Sequence, residues 1–337
     1  MTSEKYQPHL SAEKVKAPEP LVSVIIPNYN HAPYLPQRIE SVVKQSYANF
    51  EVIILDDKST DDSVAVINRY ADDEHVSHIV VNEKNSGSPF VQWEKGIALA
   101  KGELIWIAES DDIADELFLE RTVAEAEKNE NVVICQTGSH QITQDGKPYG
   151  DKDWDHWRSD AIGKTTVYNG EEFCKKYLRF TNVLYNASGI LFRRDAALPF
   201  PEHIKQFRAC GDWLFWFYVA SKGNVAILHE KHNYFRRHKS STSLKTPIEE
   251  NLRVLQYFTE NGAIHKPGMV HCIWCGIQQR HIKHLKKSDP ERYEALMQKF
   301  YDASGYHSMF PYHFSQMAKL LSNIVPVGFT FPSNHKL

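Results

Sequence analysis

A cluster of acids gives the strongest chemical signal in this sequence. Glu109-Ser110-Asp111-Asp112 places three carboxylates within four residues. Such groups repel one another unless a cation or hydrogen-bond donors stabilise them. Mn²⁺ and Mg²⁺ prefer carboxylate oxygens, and Mg²⁺ commonly binds one or two carboxylates together with substrate phosphates. We therefore predict Asp111 and Asp112 as metal ligands; a charged helix N-terminus capped by Asp112 is the alternative.

A second acidic cluster is Asp56-Asp57-Lys58-Ser59-Thr60-Asp61, which directly follows a short apolar run. Capping of a following helix explains the residues from Ser59 onward. It does not explain Asp56 and Asp57, which come before the cap. A carboxylate in such a place can accept hydrogen bonds from a nucleobase N–H or a ribose hydroxyl.

Two further segments have the residue types of a reaction centre. Gly211-Asp212 precedes Trp213-Leu214-Phe215-Trp216, and apolar surroundings raise the pKa of a carboxyl group, which suits it to accept a proton. The alternative for Asp212 is an N-cap. The basic segment Tyr234-Phe235-Arg236-Arg237-His238 precedes a run of hydroxyl residues that includes Ser243. Arginine forks and hydroxyls suit phosphate oxygens, although a solvated basic loop is the alternative.

The elements that must position these residues alternate between strand and helix. We expect strands at residues 21–27, 50–55, 76–81 and 104–108, separated by helices at 33–46, 61–70 and 90–100. This alternation predicts an α/β fold with a mostly parallel sheet. Ligands bind such sheets beyond the carboxyl ends of the strands. The polar groups at those ends are Asn28-Tyr29-Asn30, residues 56–62, Asn85-Ser86-Gly87 and residues 109–112.

The pattern is mixed after Asp112. We expect helices at residues 117–128 and 212–220, strands at 132–137, 187–192 and 225–228, and a long loop at 143–170. From about residue 246 onward the chain looks helical. Residues 1–20 are charged and contain prolines, so we expect a loose leader there.

Composition excludes several classes of protein. The 337 residues have a formal charge of −3, which argues against a nucleic-acid partner. We find no run of about 18 apolar residues that would span a membrane. The five cysteines are scattered, so we expect no disulfide framework and a cytoplasmic protein. Cys272 and Cys275 lack a second ligand pair for zinc, and two cysteines on one helical face is the better interpretation.

Four motifs together resemble the family 2 glycosyltransferases, which have the GT-A fold. They are residues 22–30, Asp56-Asp57-x-Ser59-x-Asp61, Ser110-Asp111-Asp112, and Gly211-Asp212 before an aromatic helix. Their order and spacing also match, across about residues 21–245. The resemblance implies a GT-A domain over that range and leaves residues 246–337 as a helical extension. It also implies that sugar is transferred from a nucleotide diphosphate to a saccharide or lipid-linked acceptor.

The resemblance implies roles at particular positions. Pro27, Tyr29 and Asp57 match the nucleotide base pocket, in which we also place Asn28 and Asn30. The remaining implied roles are the following: Asn85 and Gly87 near base and ribose; Ser110, Asp111 and Asp112 at the metal and diphosphate; Arg237, His238 and Ser243 at the diphosphate; and Asp212 as catalytic base. These roles imply a single displacement with inversion, assisted by Mn²⁺ or Mg²⁺.

One departure and several alternatives remain. The family often begins its metal motif with Asp, where this chain has Glu109, so the part that this residue plays stays open. A dinucleotide-dependent oxidoreductase would need a glycine-rich turn after the first strand, where the chain has Pro27-Asn28-Tyr29-Asn30. A sugar nucleotidyltransferase lacks its usual glycine-rich basic signature here. A catalytically silent GT-A-like binding module is the third alternative.

The C-terminal segment leads to a prediction about location. Residues 251–337 hold ten Lys and Arg against five Asp and Glu, and the segment ends in an apolar stretch. Such a segment could contact an anionic membrane on its inner face, where lipid-linked acceptors reside. Packing against the catalytic domain, or a contact within a homo-oligomer, is the alternative. Bacterial members of this family commonly build surface polysaccharide, which we expect as the pathway.

Overall fold

The computed structural model of the protein describes residues 19–149, 161–238, 248–261 and 268–322. These residues form a mixed sheet of nine strands flanked by helices, and a group of helices follows. The strands are β1 Val22–Asn28, β2 Phe50–Asp56, β3 Val76–Val81, β4 Leu104–Ile107, β5 Ile113–Ala114, β6 Val132–Thr143, β7 Thr165–Tyr168, β8 Ile190–Arg193 and β9 Asn224–Arg237. The helices are α1 Leu35–Val43, α2 Ser63–Ile67, α3 Pro89–Leu99, α4 Phe118–Lys128, α5 Gly170–Phe173, α6 Gly211–Ala220, α7 Ile248–Glu260, α8 Met269–Lys283, α9 Leu285–Ser288, α10 Pro290–Ser304 and α11 Phe310–Ser322.

The first half of the sheet is parallel, with strand order β3-β2-β1-β4. Every residue of β1 and β2 is buried because helices cover both faces of the sheet. Helix α3 lies very close to β1: a Cβ on Gly96 would overlap with Cγ2 of Ile25. This packing places the carboxyl ends of β1, β2 and β4 side by side, as the alternation of elements predicts.

The second half of the sheet brings a distant part of the chain back to that edge. Strand β8 is antiparallel to β4 and β6, and β9 runs parallel to β6. The long strand β9 extends until Tyr234 pairs with Ile113 of β5, just after the acidic segment. Residues after Tyr234 therefore lie next to the carboxyl end of β4.

Three sequence predictions about this half were wrong. Strand β6 continues to Thr143 and strand β9 to Arg237, so both are longer than predicted. The expected loop at residues 143–170 contains β7, which pairs with β9. The ends of β6 and β9 are polar, yet several of their polar side chains are buried, as those of Ser139 and Asn233 show. An apolar pattern therefore could not reveal these strand ends.

The helices after β9 confirm the predicted helical segment. Helix α7 packs on α6: the ring of Phe258 lies 4.7 Å from that of Phe217 and 5.8 Å from that of Trp213, between centroids. Cys272 and Cys275 are buried thiols of α8. None of the described helices is long and apolar enough to span a bilayer.

Candidate active site

Hydrogen bonds between side chains join the carboxyl ends of β1 and β2. Asn28 donates from Nδ2 to Oδ2 of Asp56 at 2.7 Å, and both residues are almost fully buried. Asp56 also accepts hydrogen bonds from the backbone N–H and the hydroxyl of Ser59, at 2.8 and 2.6 Å. These bonds make Asp56 a structural link between the two strand ends.

Beyond this link the chain turns sharply toward solvent. Pro27 is the last but one residue of β1 and pairs with Leu55. Tyr29, directly after the strand, is 46% exposed and is therefore accessible to a ligand. Asn30 has a positive φ of 57°, and its Oδ1 accepts a hydrogen bond from the backbone of Thr60 at 2.7 Å.

The carboxylate of Asp57 organises the neighbouring loop. It accepts hydrogen bonds from Asn82 at 2.7 Å, from Gln92 at 2.9 Å, and from both the backbone N–H and the hydroxyl of Ser86. Asn85 donates to the backbone carbonyl of Asp57 at 2.8 Å. Asp57 thus fixes the loop that was predicted to lie near base and ribose, while its role toward a base stays a prediction.

Gly87 lies where this loop approaches the segment before α6. Its φ is +76°, which favours glycine, and a Cβ there would lie 3.6 Å from a guanidinium nitrogen of Arg208. Nearby, the Ser88 hydroxyl donates to the carbonyl of Phe207 at 2.6 Å. The proposed nucleotide loop and the segment leading to Asp212 are therefore in direct contact.

The acidic segment after β4 is packed into the protein. Asp112 is 1% exposed, and its Oδ1 accepts a hydrogen bond from the backbone N–H of Arg236 at 2.9 Å. Burial, and then repulsion by Asp111, raises the pKa of Asp112 to about 7. Glu109 accepts a hydrogen bond from the Trp93 indole at 3.0 Å, and the same two causes raise its pKa to about 8. Asp112 and Glu109 thus have the environment of carboxyl groups that keep their protons near neutrality.

Asp111 lies between two histidines. Its Oδ2 is 2.8 Å from Nε2 of His238, and His31 is 2.8 Å from the Ser110 hydroxyl through Nδ1. One ligand atom from each of His31, Asp111 and His238 lies within 4.8 Å of the other two. Burial lowers the pKa of His31, which favours the neutral imidazole that binds metals.

This group of three is the candidate metal site of the described residues. Asp111 belongs to it, as the sequence predicts, whereas Asp112 faces the backbone of Arg236 instead. Sequence analysis missed His31 as a candidate ligand, and it placed His238 at the diphosphate rather than at the metal. The position of His31 at the carboxyl end of β1, three residues after Asn28, was the available signal.

Arg236 fastens the acidic segment to its surroundings. Its guanidinium donates to the carbonyl of Asp111 at 2.7 Å, to Gln37 at 2.7 Å and to the carbonyl of Gln144 at 2.8 Å. The neighbouring Arg237 donates to Gln141 at 3.2 Å. The arginine that contacts the acidic segment is thus Arg236, and Ser243 lies outside the described residues.

Asp212 stands in the first turn of α6. Its Oδ2 accepts a hydrogen bond from Nδ2 of Asn182 at 2.8 Å, and its Oδ1 accepts one from the backbone N–H of Trp213 at 2.8 Å. Burial raises the pKa of Asp212 to about 7 against the lowering effect of these bonds. This environment agrees with the prediction of a proton acceptor at this position, and Asn182 is a contact that sequence analysis missed.

Trp93 connects the acidic segment with α6. Its indole donates to Glu109, and its ring lies 5.4 Å from Phe215 and 5.7 Å from Trp216 between centroids. Asp212 is three residues before Phe215 in the same helix. The acidic segment and the helix that carries Asp212 therefore border one aromatic cluster.

Comparison with known proteins decides the family. The family model described as "Glycosyl transferase family 2" matches residues 23–198. The chain belongs to this family. The resemblance found in its motifs is thereby confirmed. The match ends before α6, so Asp212 and His238 lie beyond it.

Curated relatives of this glycosyltransferase have low sequence identity to it. Glycosyltransferase GlyG of Streptococcus pneumoniae is 29% identical over 170 residues, half of each chain. The putative teichuronic acid biosynthesis glycosyltransferase TuaG of Bacillus subtilis is 34% identical over 130 residues, 39% of this chain and 51% of TuaG. An uncharacterized glycosyltransferase of Haemophilus influenzae is 26% identical over 282 residues, 80% of this chain and 82% of the relative. The chain thus spans about half the length of GlyG and TuaG.

Solved structures confirm the α/β GT-A fold of this glycosyltransferase. Residues 1–349 of S. aureus TarS in complex with UDP-GlcNAc give a TM-score of 0.64 at 16% identity, with 84% of this chain and 81% of that chain covered. The mannosyltransferase PcManGT from Pyrobaculum calidifontis in complex with GDP-Man and Mn²⁺ gives 0.53 at 14% identity, with 91% and 82% covered. At these identities the likeness shows the fold alone.

Proposed function

We propose that this glycosyltransferase transfers a sugar from a nucleotide diphosphate sugar to a saccharide or lipid-linked acceptor with inversion at the anomeric carbon. The observation that carries the proposal is the environment of Asp212. This carboxylate is oriented by Asn182, and burial holds its pKa at about 7, close to the value best suited to a general base at neutral pH.

The proposed reaction is a single displacement. Asp212 takes the proton of an acceptor hydroxyl, and the acceptor oxygen forms a bond to the anomeric carbon from the face opposite the nucleotide. The bond between that carbon and the diphosphate oxygen breaks, and its electron pair leaves with the nucleoside diphosphate. The proton remains on Asp212 until solvent removes it, and the configuration of the sugar inverts.

The residues present fit a divalent cation. His31, Asp111 and His238 would hold it, since they offer two imidazoles and one carboxylate within 4.8 Å of one another. Two imidazole ligands favour a transition metal over Mg²⁺. When bound, the ion supplies neutralisation of the charge on the departing diphosphate. The solved complex of PcManGT with GDP-Man and Mn²⁺ supports the proposal.

We place the nucleotide at the carboxyl ends of β1 and β2. Exposed Tyr29 offers a ring for the base, and the loop of Asn85 and Gly87, held by Asp57, offers polar groups for base and ribose. The solved complex of TarS with UDP-GlcNAc supports a nucleotide sugar as donor. The name of TuaG supports bacterial surface polysaccharide as the pathway.

We also propose that residues 21–245 form the GT-A domain, and that the helical extension contacts the inner face of the plasma membrane. Residues 261–288 contain no Asp or Glu and include Arg280, Lys283, Lys286 and Lys287. Each basic residue near an anionic surface contributes about 1 kcal/mol. Flotation with phosphatidylserine vesicles should recover the full chain but much less of a K286Q/K287Q variant. Equal recovery of the two proteins would contradict the membrane contact.

A panel of UDP-, dTDP- and GDP-sugars tests the main proposal. The wild-type protein should hydrolyse at least one donor to nucleoside diphosphate and free sugar, faster with Mn²⁺ than in EDTA. A silent binding module would bind a donor without turnover. A nucleotidyltransferase would instead form a sugar nucleotide and pyrophosphate from a sugar 1-phosphate and a nucleoside triphosphate. Full activity in EDTA would contradict the proposed dependence on a metal ion.

A further inference from the structure

A carboxylate from α7 holds the segment that leads into α6. Glu250 accepts hydrogen bonds from three successive backbone N–H groups, those of Arg208, Ala209 and Cys210, at 2.9, 2.9 and 2.8 Å. Glu250 is only 7% exposed. Hydrogen bonds to an ionised acceptor are roughly twice as strong as those between neutral groups. The Glu250 carboxylate therefore stabilises the position of the segment.

The same segment is fastened on its other side to the proposed nucleotide loop. The hydroxyl of Ser88 donates to the carbonyl of Phe207 at 2.6 Å, and this contact is buried. The segment therefore lies between the loop that we assign to base and ribose and the first turn of α7. Asp212 follows only two residues after Cys210, so the position of the segment determines where α6 begins.

We propose that Glu250 is a positioning residue for glycosyl transfer, which fixes residues 208–210 and thereby sets the place and direction of the Asp212 carboxylate. The inference rests on the proposed role of Asp212 as base. It also gives α7 a part in the reaction, although this helix follows the range over which the motifs resemble the family.

The geometry explains why this anchor matters for chemistry. Without Glu250, the segment keeps the contact of Phe207 with Ser88 and the 3.4 Å bond from the Cys210 thiol to Oδ1 of Asn251. Asp212 keeps its bonds to Asn182 and to its own helix. A base that moves by about 1 Å relative to the acceptor hydroxyl can lose about a hundredfold in rate. Donor binding at the β1 and β2 ends does not involve Glu250, so it should be retained.

Glu250 also acts on Asp212 through its charge. After burial, which is the main cause, the charge of Glu250 from α7 raises the pKa of Asp212, while the bond from neutral Asn182 lowers it. The neighbouring Cys210 thiol has its own pKa raised by burial and then by Asp212 and Glu250. Removal of the Glu250 charge should therefore lower the pKa of Asp212. If the contact were purely structural, we would expect no lowering of the Asp212 pKa in E250Q.

The test compares Glu250→Gln with Glu249→Gln. Glu249 is the neighbouring carboxylate of the same turn, and it is paired with Arg292 at 3.0 Å rather than with the segment's backbone. Hydrogen exchange of the full-length protein should show loss of protection at residues 208–210 in E250Q alone. With UDP-GlcNAc, or GDP-mannose if the panel selects it, E250Q should lower kcat for donor hydrolysis by roughly ten- to a hundredfold. The donor Kd should stay within about twofold, and the acidic limb of the pH profile should move to lower pH.

A folded E250Q variant with wild-type kcat would overturn the inference. Parallel losses of kcat and donor affinity, or an acidic limb that does not move, would overturn it as well, because they indicate a structural role only. Asp212→Asn separates this failure from failure of the proposed function: if D212N keeps its turnover, Asp212 is not the base, whatever E250Q does.

Discussion

Asn182 and Asp212 are 30 positions apart in the sequence, and Nδ2 of the first donates to Oδ2 of the second at 2.8 Å. The other carboxylate oxygen of Asp212 accepts the N–H of Trp213. Each oxygen therefore has one orienting bond and keeps a further lone pair that can accept a proton. This arrangement is what a general base requires, since the carboxylate is directed but not saturated.

Replacement of Asn182 should shift the pH dependence of turnover. The Asn182 bond stabilises the charged form of Asp212 and so lowers its pKa. Asn182→Ala should raise that pKa above about 7, and because the base must be deprotonated, the acidic limb should move to higher pH. Rates measured from pH 5.5 to 9 check this, with Thr181→Ala as control. If the acidic limb of N182A stays at the wild-type pH, the ionisation of Asp212 does not determine that limb.

Loss of the candidate metal ligands should weaken Mn²⁺ binding. His31→Ala removes one of three clustered ligand atoms, and Asp111→Asn replaces the carboxylate by a neutral amide, a weaker ligand. We therefore expect Mn²⁺ affinity to fall by at least about tenfold in calorimetry. His78→Ala serves as the control, since His78 does not belong to this group and contacts the Ser77 hydroxyl near the start of β3. If H31A binds Mn²⁺ as tightly as the wild type, His31 is not a ligand.

Gly211 should tolerate no side chain. A Cβ there would lie 2.5 Å from the Phe90 ring, which forces either the ring or the start of α6 to move. Gly211→Ala should lower the free energy of unfolding by roughly 1–3 kcal/mol, the usual effect of overpacking, and should lower turnover because Asp212 is the next residue. Urea denaturation and donor hydrolysis measure the two effects.

Gly268→Ala is the matched control for this substitution, because a Cβ at that position meets nothing within 4 Å. Because Gly268 is the N-cap of α8, where alanine is less favourable than glycine, the replacement should cost about 0.5–1 kcal/mol, less than expected for G211A, and should leave turnover unchanged. Equal stabilities of G211A and G268A would contradict the close packing of Phe90 on α6.

The parallel half of the sheet and the carboxylates at its edge could be predicted from the sequence. Buried apolar runs reveal β1 to β4, and their polar ends mark where ligands bind. The partners of those carboxylates could not be predicted, because they come from distant segments. Arg236 contacts Asp111 across 125 positions, and Glu250 contacts Cys210 across 40, and neither contact leaves a local pattern.

The two arginines of β9 show a second physical reason why the site could not be predicted fully from the sequence. Their neighbourhood was predicted as a basic segment, and Arg237 was chosen as the phosphate contact. Because successive side chains of a strand point to opposite faces, Arg236 and Arg237 have different partners, Asp111 and Gln141. Because this strand ends in polar residues, the sequence shows no alternation of apolar and polar side chains there. The structure was therefore needed to tell which of the two arginines contacts the acidic segment.

Turnover of Asp212→Asn with the donor that the panel selects is the most direct test of the account. We expect the wild type to turn over that donor, and D212N to lose at least about a thousandfold of kcat while its donor Kd, measured by calorimetry, changes by less than about threefold, since general base catalysis contributes roughly that much. A D212N variant that is folded and turns over the donor at a rate near that of the wild type would contradict the proposed mechanism.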